Sequence, residues 1–310
     1  MNDLFKRLRS GDAAVRAAAL LFGLSILAIT ALLVYELWVN SALPRQKFGL
    51  AFLFTRVWDP VAQEFGALPF IYGTLVTSAV ALLVAAPLGL GAAIFLSELA
   101  PPRISSALTF IVELLAAVPS VIFGLLGVFI LVPFLRSTAQ PFLQAKLGFL
   151  PLFQGPNYGV GFLAAGVVLA IMIVPFIVSI SRESLLAVPR EQREAALALG
   201  ATRWETTWDV VVPHARLGVI GSVFLALARA LGETMAVTML IGNDPRISSS
   251  LFSPGYSIAA VIANEFTEAT GQVHVEALLE LGLVLFLLTI ILNGGARLLI
   301  LATGPRGGGA

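Results

Sequence analysis

Polar and apolar positions fall in long blocks along the chain. Apolar stretches run over 17–39, 73–99, 107–135, 159–180, 217–241 and 277–301. Each is long enough to cross a hydrocarbon core, which takes about 20 residues as a helix. The pattern therefore predicts an all-α polytopic membrane protein with six transmembrane helices. Its parts read as a segment 1–16, a first span 17–39, a loop 40–72, a core of five spans over 73–302 and a flexible tail 303–310. Pro87, Gly89 and Gly91 predict a kink or local unwinding in the second span, and Pro119-Ser120 interrupts the third.

The polar blocks between the spans differ in character. Loop 40–72 contains Pro44, Pro60 and Pro69, and its apolar run Phe48–Phe54 is too short to cross. That run is expected to lie along the interface, with Trp38 and Trp58 in the headgroup zone. Residues 136–158 and 242–276 read as further loops. The second holds His274 with Glu265, Glu268 and Glu276, without metal-ligand spacing, and reads as solvated surface. The fourth and fifth spans are joined by the most highly charged stretch, 182–216.

Charge then orients the chain. The N-terminus, the turn at Arg103, the 181–216 segment and the C-terminus carry twelve lysines and arginines, against six in the other three loops. Basic loops stay cytoplasmic, so both termini and the 182–216 segment are expected in the cytoplasm, with the chain in the cell inner (cytoplasmic) membrane. Lys6, Arg7, Arg9 and Arg16 precede the first span, but no small-residue cleavage site follows it, which predicts a retained span.

Composition narrows the chemistry. The chain is 58% hydrophobic and 12% charged, against about a quarter charged in soluble domains. It has no cysteine, which excludes thiolate metal sites and thiol catalysis. Lys6, Lys47 and Lys146 each lack the Gly-Lys-Ser/Thr context of a P-loop. No cofactor or metal is expected, and no catalytic residue is assigned.

Within 182–216, Pro189 can open a helix and Gly200 can end it in the left-handed conformation. Thr202 and Glu205 suit a capping box for a second short helix, on which Trp204, Trp208 and Val211 or Val212 share a face. An amphipathic connector lying on the bilayer would need neither this spacing nor the glycine. Glu194-Ala195-Ala196, three residues, Gly200, nine residues, then Val210, one residue and Val212-Pro213 resembles the EAA loop of ABC importer permeases. Valines stand here for the usual Ile and Leu. The resemblance implies the type I ABC importer permease fold, and a coupling helix inserted into a separate ATPase subunit. Glu194, Ala195, Ala196, Gly200 and Pro213 would form that coupling element, and ATP hydrolysis would reside on the partner chain.

Inside the fifth span, Arg229 and Glu233 are four residues apart, which on a continuous helix places them on one face. An arginine near mid-membrane costs about 2.5–3.5 kcal/mol on insertion scales. A structural ion pair and a functional site both account for the two charges. Three features favour function: Arg229 is the one basic residue deep within a span, Thr234 and Thr238 add hydroxyls, and Gly232 leaves room. A guanidinium fork matches an oxyanion. A neighbouring carboxylate would repel sulfate but accept a hydrogen bond from an anion that still carries a proton, such as hydrogen phosphate.

Arg229 to Thr238 and Ile241-Gly242-Asn243 resemble the C-type permeases of phosphate-specific ABC importers, as do Gly73 to Ser78, Leu96 to Pro101 and Ala116 to Ser120. The resemblance implies a heterodimer with a companion A-type permease, two ATPase subunits and an extracytoplasmic phosphate-binding protein. It also places Arg229 and Glu233, with Thr234 and Thr238, on the substrate path. Permeases for sulfate or molybdate, and a proton-coupled secondary transporter using Glu233, are the alternatives. Among lesser candidates, Glu113 is expected near the cytoplasmic mouth beside an arginine, and His214 to be solvated. Thr74 is expected to pack, with Thr77 and Ser78 left between packing and path.

Overall fold

The computed structural model describes residues 12–303; Lys6, Arg7, Arg9 and the tail from 304 onward lie outside the described residues. Six of its helices are long and apolar enough to cross a membrane. The first, α1 (Asp12–Val39), leaves nearly all its apolar side chains exposed and touches the rest mainly along the last helix. A short helix α2 (Ala42–Phe48) follows.

α3 (Leu68–Ile94) passes through Pro87 as continuous helix and ends in a π-turn, Phe95–Leu99. The local unwinding expected at Pro87–Gly91 is absent. Gly89 instead permits close packing, since a methyl group there would overlap Ile177. The third span is two pieces, α4 (Pro102–Ala116) and α5 (Ser120–Leu147), separated at Ala117–Pro119. α5 outlasts its expected end at Leu135 by a π-turn and a further helical stretch, so Arg136 and Lys146 lie on it and not in a loop.

α6 (Phe162–Leu186) is the central post. It is the most buried of the six spans, and α3 packs along it. Ala81, Ala85, Val168, Leu169, Ile173, Ala226, Ala230 and Val237 meet in the main core. α7 (Arg190–Ala198) is the first helix of the charged hairpin. The second helix expected there is not short: it is the start of the fifth span, α8 (Arg203–Leu231), continuous through a π-turn at Thr206–Val211. The fifth span in turn stops early. After Leu231 the helix breaks and resumes as α9 (Met235–Leu240).

The loop ends of these spans build a second body. α10 (Ile258–Glu265) and the start of α11 (Gln272–Thr303) close over Phe52, Phe65, Phe70 and Tyr256, with a two-residue hairpin pairing Trp58 with Phe65 and Asp59 with Glu64. This cap corrects three expectations. Phe52 is buried rather than interfacial. Trp58 lies edge-on between Phe65 and Phe70, 4.8 Å from each, and donates its indole N–H to Glu265 at 2.9 Å. His274 is buried, stacked 5.2 Å from Phe65 and 3.1 Å from Glu265. What reads as solvated loop is therefore an aromatic core, and burial pushes the Tyr256 phenol up to about 12.

The cap is fastened to the bundle by backbone contact. Thr74 Oγ1 accepts from the Ile258 amide at 3.0 Å, and the Tyr72 hydroxyl donates to the Ser248 carbonyl at 2.6 Å. A side chain at Gly73 would overlap the Tyr256 carbonyl. Thr74 thus packs, as expected; Thr77 donates to Gly73 and Thr74 carbonyls, and Ser78 is buried without a partner.

Candidate functional site

Two helix breaks meet at one height in the bundle. Ser181 and Ser222 hydroxyls, 2.6 Å apart, set α8 against α6. From there Ser222, Ala226 and Ala230 form the buried stripe of α8, while Leu225, Arg229 and Gly232 face outward. Arg229 lies with its guanidinium carbon 4.1 Å from the ring centroid of Phe176, near the middle of α6. A cation over an aromatic face is held by the ring quadrupole, which leaves the guanidinium N–H edge open. Arg229 makes no ion pair among the described residues.

The pairing expected from continuous helix does not form, because α8 stops at Leu231 and Gly232-Glu233-Thr234 form a break. Glu233 turns along α9 instead, its Oε1 accepting weakly from the Ala236 amide at 3.4 Å. Thr234 donates to the Gly232 carbonyl at 3.2 Å and Thr238 to the Thr234 carbonyl at 2.7 Å, so both hydroxyl protons are used within the break. Alongside, Gly124 of α5 touches Ala236 and Met239, and Gly127 touches Leu240. The start of α5 at Ser120 therefore stands level with the start of α9. Discontinuous helices at mid-depth present backbone ends to a polar ligand, the α5 start adding the positive end of a 28-residue helix. Irregular backbone survives at such depth only where protein covers it or it lines a cavity. Sequence reading missed Phe176 and the break after Leu231; the break before Ser120 is the one expected from Pro119.

At the other end, the hairpin is a compact knob. α7 ends in a Schellman motif: Gly200 adopts φ +92, its amide donates to Leu197 O at 3.0 Å, and the Ala201 amide donates to Ala196 O at 3.1 Å. Only glycine takes that backbone without strain. Thr202 and Glu205 form the full capping box, 2.7 Å and 3.2 Å in its two directions. Glu194 and Ala195 are exposed, Ala196 half-buried, and Trp204 and Trp208 stack edge to face at 5.5 Å while remaining open to solvent. Pro213 sits exposed in the first turn after the π-turn. His214 is exposed, as expected. Glu113 is exposed on α4 without the arginine partner expected of it among the described residues.

Residue 193 was not singled out in the sequence. Arg193 joins the knob to α3 and α6 through Glu98 and the carbonyls of Leu185 and Val188. A partner 95 residues away leaves no mark in local spacing.

The chain is similar to proteins of known type. The profile of the family described as binding-protein-dependent transport system inner membrane component matches residues 85–301. A phosphate transport system permease protein PstC from Mesorhizobium japonicum is 46% identical over 96% of this chain and 90% of its own length. One from Xylella fastidiosa is 49% identical over 84% and 81%. Among solved structures, a bacterial ABC transporter involved in alginate import matches 92% of this chain and 97% of its own with TM-score 0.58 at 16% identity. An inward-facing MetNI methionine ABC transporter matches 80% and 99% with TM-score 0.54 at 18% identity. Those two likenesses establish the ABC importer permease fold. With a multi-pass architecture, the family profile over most of its length and relatives near half identical, the chain belongs to the PstC family of inner-membrane phosphate transport permeases.

Proposed function

We propose that this chain is the transmembrane permease subunit of an ATP-driven importer that moves inorganic phosphate across the cytoplasmic membrane. The observation that carries the reading is Arg229: a guanidinium at mid-span, on an outward face beside two helix breaks, with no carboxylate paired to it among the described residues. An unpaired charge at that depth costs several kcal/mol unless something polar visits it. The relatives named for phosphate transport support phosphate as that visitor, an oxyanion that suits a planar N–H fork.

Both termini and the knob face the cytoplasm in this reading, and the aromatic cap faces outward. A phosphate-binding protein delivers the anion to the cap side. A companion A-type permease lines the other half of the path, and two ATPase subunits receive the knob around Gly200. Arg229 attracts the dehydrated anion. Glu233, in the break that follows Leu231, keeps that hold weak and disfavours an anion without a proton. Glu194, Ala195, Ala196, Gly200 and Pro213 serve the ATPase side, and Arg229, Glu233, Thr234 and Thr238 serve the path.

The test is labelled-phosphate uptake by proteoliposomes holding the whole complex, with ATP inside and binding protein outside. Uptake should require ATP and resist an excess of sulfate. Uptake driven by a pH gradient without ATP, or equal inhibition by sulfate, would refute the reading.

A further inference from the structure

We propose that Arg193 and Glu98 form a strut that carries movement of the cytoplasmic knob into the second span and so to the outer cap; this rests on the importer reading above. Arg193 directly precedes Glu194 in α7, yet its side chain turns inward. Its Nη2 donates to Glu98 Oε1 at 3.0 Å and its Nε to Glu98 Oε2 at 3.3 Å. The same Nη2 donates to the Leu185 carbonyl at 2.7 Å, and Nη1 donates to the Val188 carbonyl. The two charged side chains are only 18% and 10% exposed. One planar group thus closes the open carbonyl end of α6 and grips a carboxylate at the foot of α3. An ammonium is a point charge and cannot do both.

What makes this pair a strut is the chain's connectivity. Covalently, the knob continues only into α6, through residues 187–189, and into α8, through residues 199–202. α3 joins it through space, at Glu98. Ala93, Leu185, Val188, Val211 and Ala215 pack around that point as an apolar cluster of their own. Ser105 adds a bond from α4 to the Leu96 carbonyl at 2.7 Å in the same turn. From Glu98, α3 rises as an unbroken 27-residue helix, about 40 Å at 1.5 Å per residue. Its far end holds the cap through Tyr72 and Thr74. A displacement entering at Glu98 therefore emerges at residues 248–258, on the side where the binding protein docks. Arg193 is a positioning residue: it touches no substrate.

The experiment measures phosphate uptake and ATP hydrolysis together in the reconstituted complete complex, for wild type, Arg193→Gln, Arg193→Lys, Glu98→Gln and the double glutamine variant. ATP hydrolysed per phosphate carried should rise about tenfold in each single glutamine variant, a typical coupling energy between sites, and less in Arg193→Lys. The double variant should be no worse than the worse single one, because both remove one link. A merely structural pair would lower uptake and hydrolysis in step with the amount of assembled complex and leave their ratio unchanged; that result overturns the strut. Multiplying effects in the double variant overturn it too. Should Arg193→Gln fail to assemble, Glu98→Gln and Arg193→Lys carry the same ratio test. A wild-type complex that carries no phosphate overturns the importer reading, and the strut with it, whereas a wild-type ratio in the variants overturns the strut alone.

Discussion

Beneath the knob, Arg193 directs its donors to a carboxylate and two carbonyls; half-way along the spans, Arg229 rests on a phenyl ring and meets no carboxylate among the described residues. Both are guanidinium groups set against the helix bundle, and they reach opposite states. Arg193 sits where two helix ends offer negative partners, so folding alone satisfies it. Arg229 sits where the carboxylate nearest in sequence has been carried off by a helix break. A filled guanidinium holds structure together, and an open one is available to a ligand.

The comparison breaks most readily at its open end. Arg229→Gln should abolish phosphate uptake, on the scale of about a hundredfold or more seen when one preorganised donor for an anion is removed. The complex should still copurify in normal yield, since beyond the Phe176 ring contact no ion pair among the described residues is lost. Uptake at the wild-type rate would make Arg229 another structural arginine. Gly200→Val addresses the other end, forcing a β-branched residue to φ +92 at a cost of roughly 1–3 kcal/mol. Membrane insertion should survive, while stimulation of ATP hydrolysis by loaded binding protein falls about tenfold; retained stimulation would show that the knob's shape is not what the ATPase reads.

Glu233→Gln sharpens the contrast by asking whether the carboxylate is partner or filter. Sulfate should inhibit phosphate uptake about tenfold more strongly, a change of ~1.4 kcal/mol, measured as the ratio of inhibition constants. An unchanged ratio with lost uptake would restore the ion-pair account. The smallest effect is expected from Thr202→Ala, which removes one side of the capping box and about 1 kcal/mol of local stability. Amide exchange at Arg203 to Glu205 should quicken while uptake changes less than about twofold.

Much of this was legible in the sequence. Block length places the six spans to within a few residues at most ends, and the spacing from Glu194 to Pro213 encodes its own Schellman turn and capping box, because those devices are local. The breaks were harder. A largely apolar run from Leu217 to Ile241 says little about where a helix inside it stops; one ends before Gly232, and α5, starting at Ser120, stands beside α9 where it resumes. The cap was misread altogether. Trp58, Glu265 and His274 look like loop residues until residues more than two hundred positions apart are brought together.

That cap also dictates an order of birth. Phe52, Phe65 and Phe70 leave the ribosome early, yet Tyr256, Ile258, Ala277 and Leu281, which cover them, come near the end. Through most of synthesis those rings have no shelter, and contacts so distant in sequence form slowly. A nascent chain halted before residue 256 therefore leaves that aromatic cluster without its cover, and only completion of the last helix supplies it.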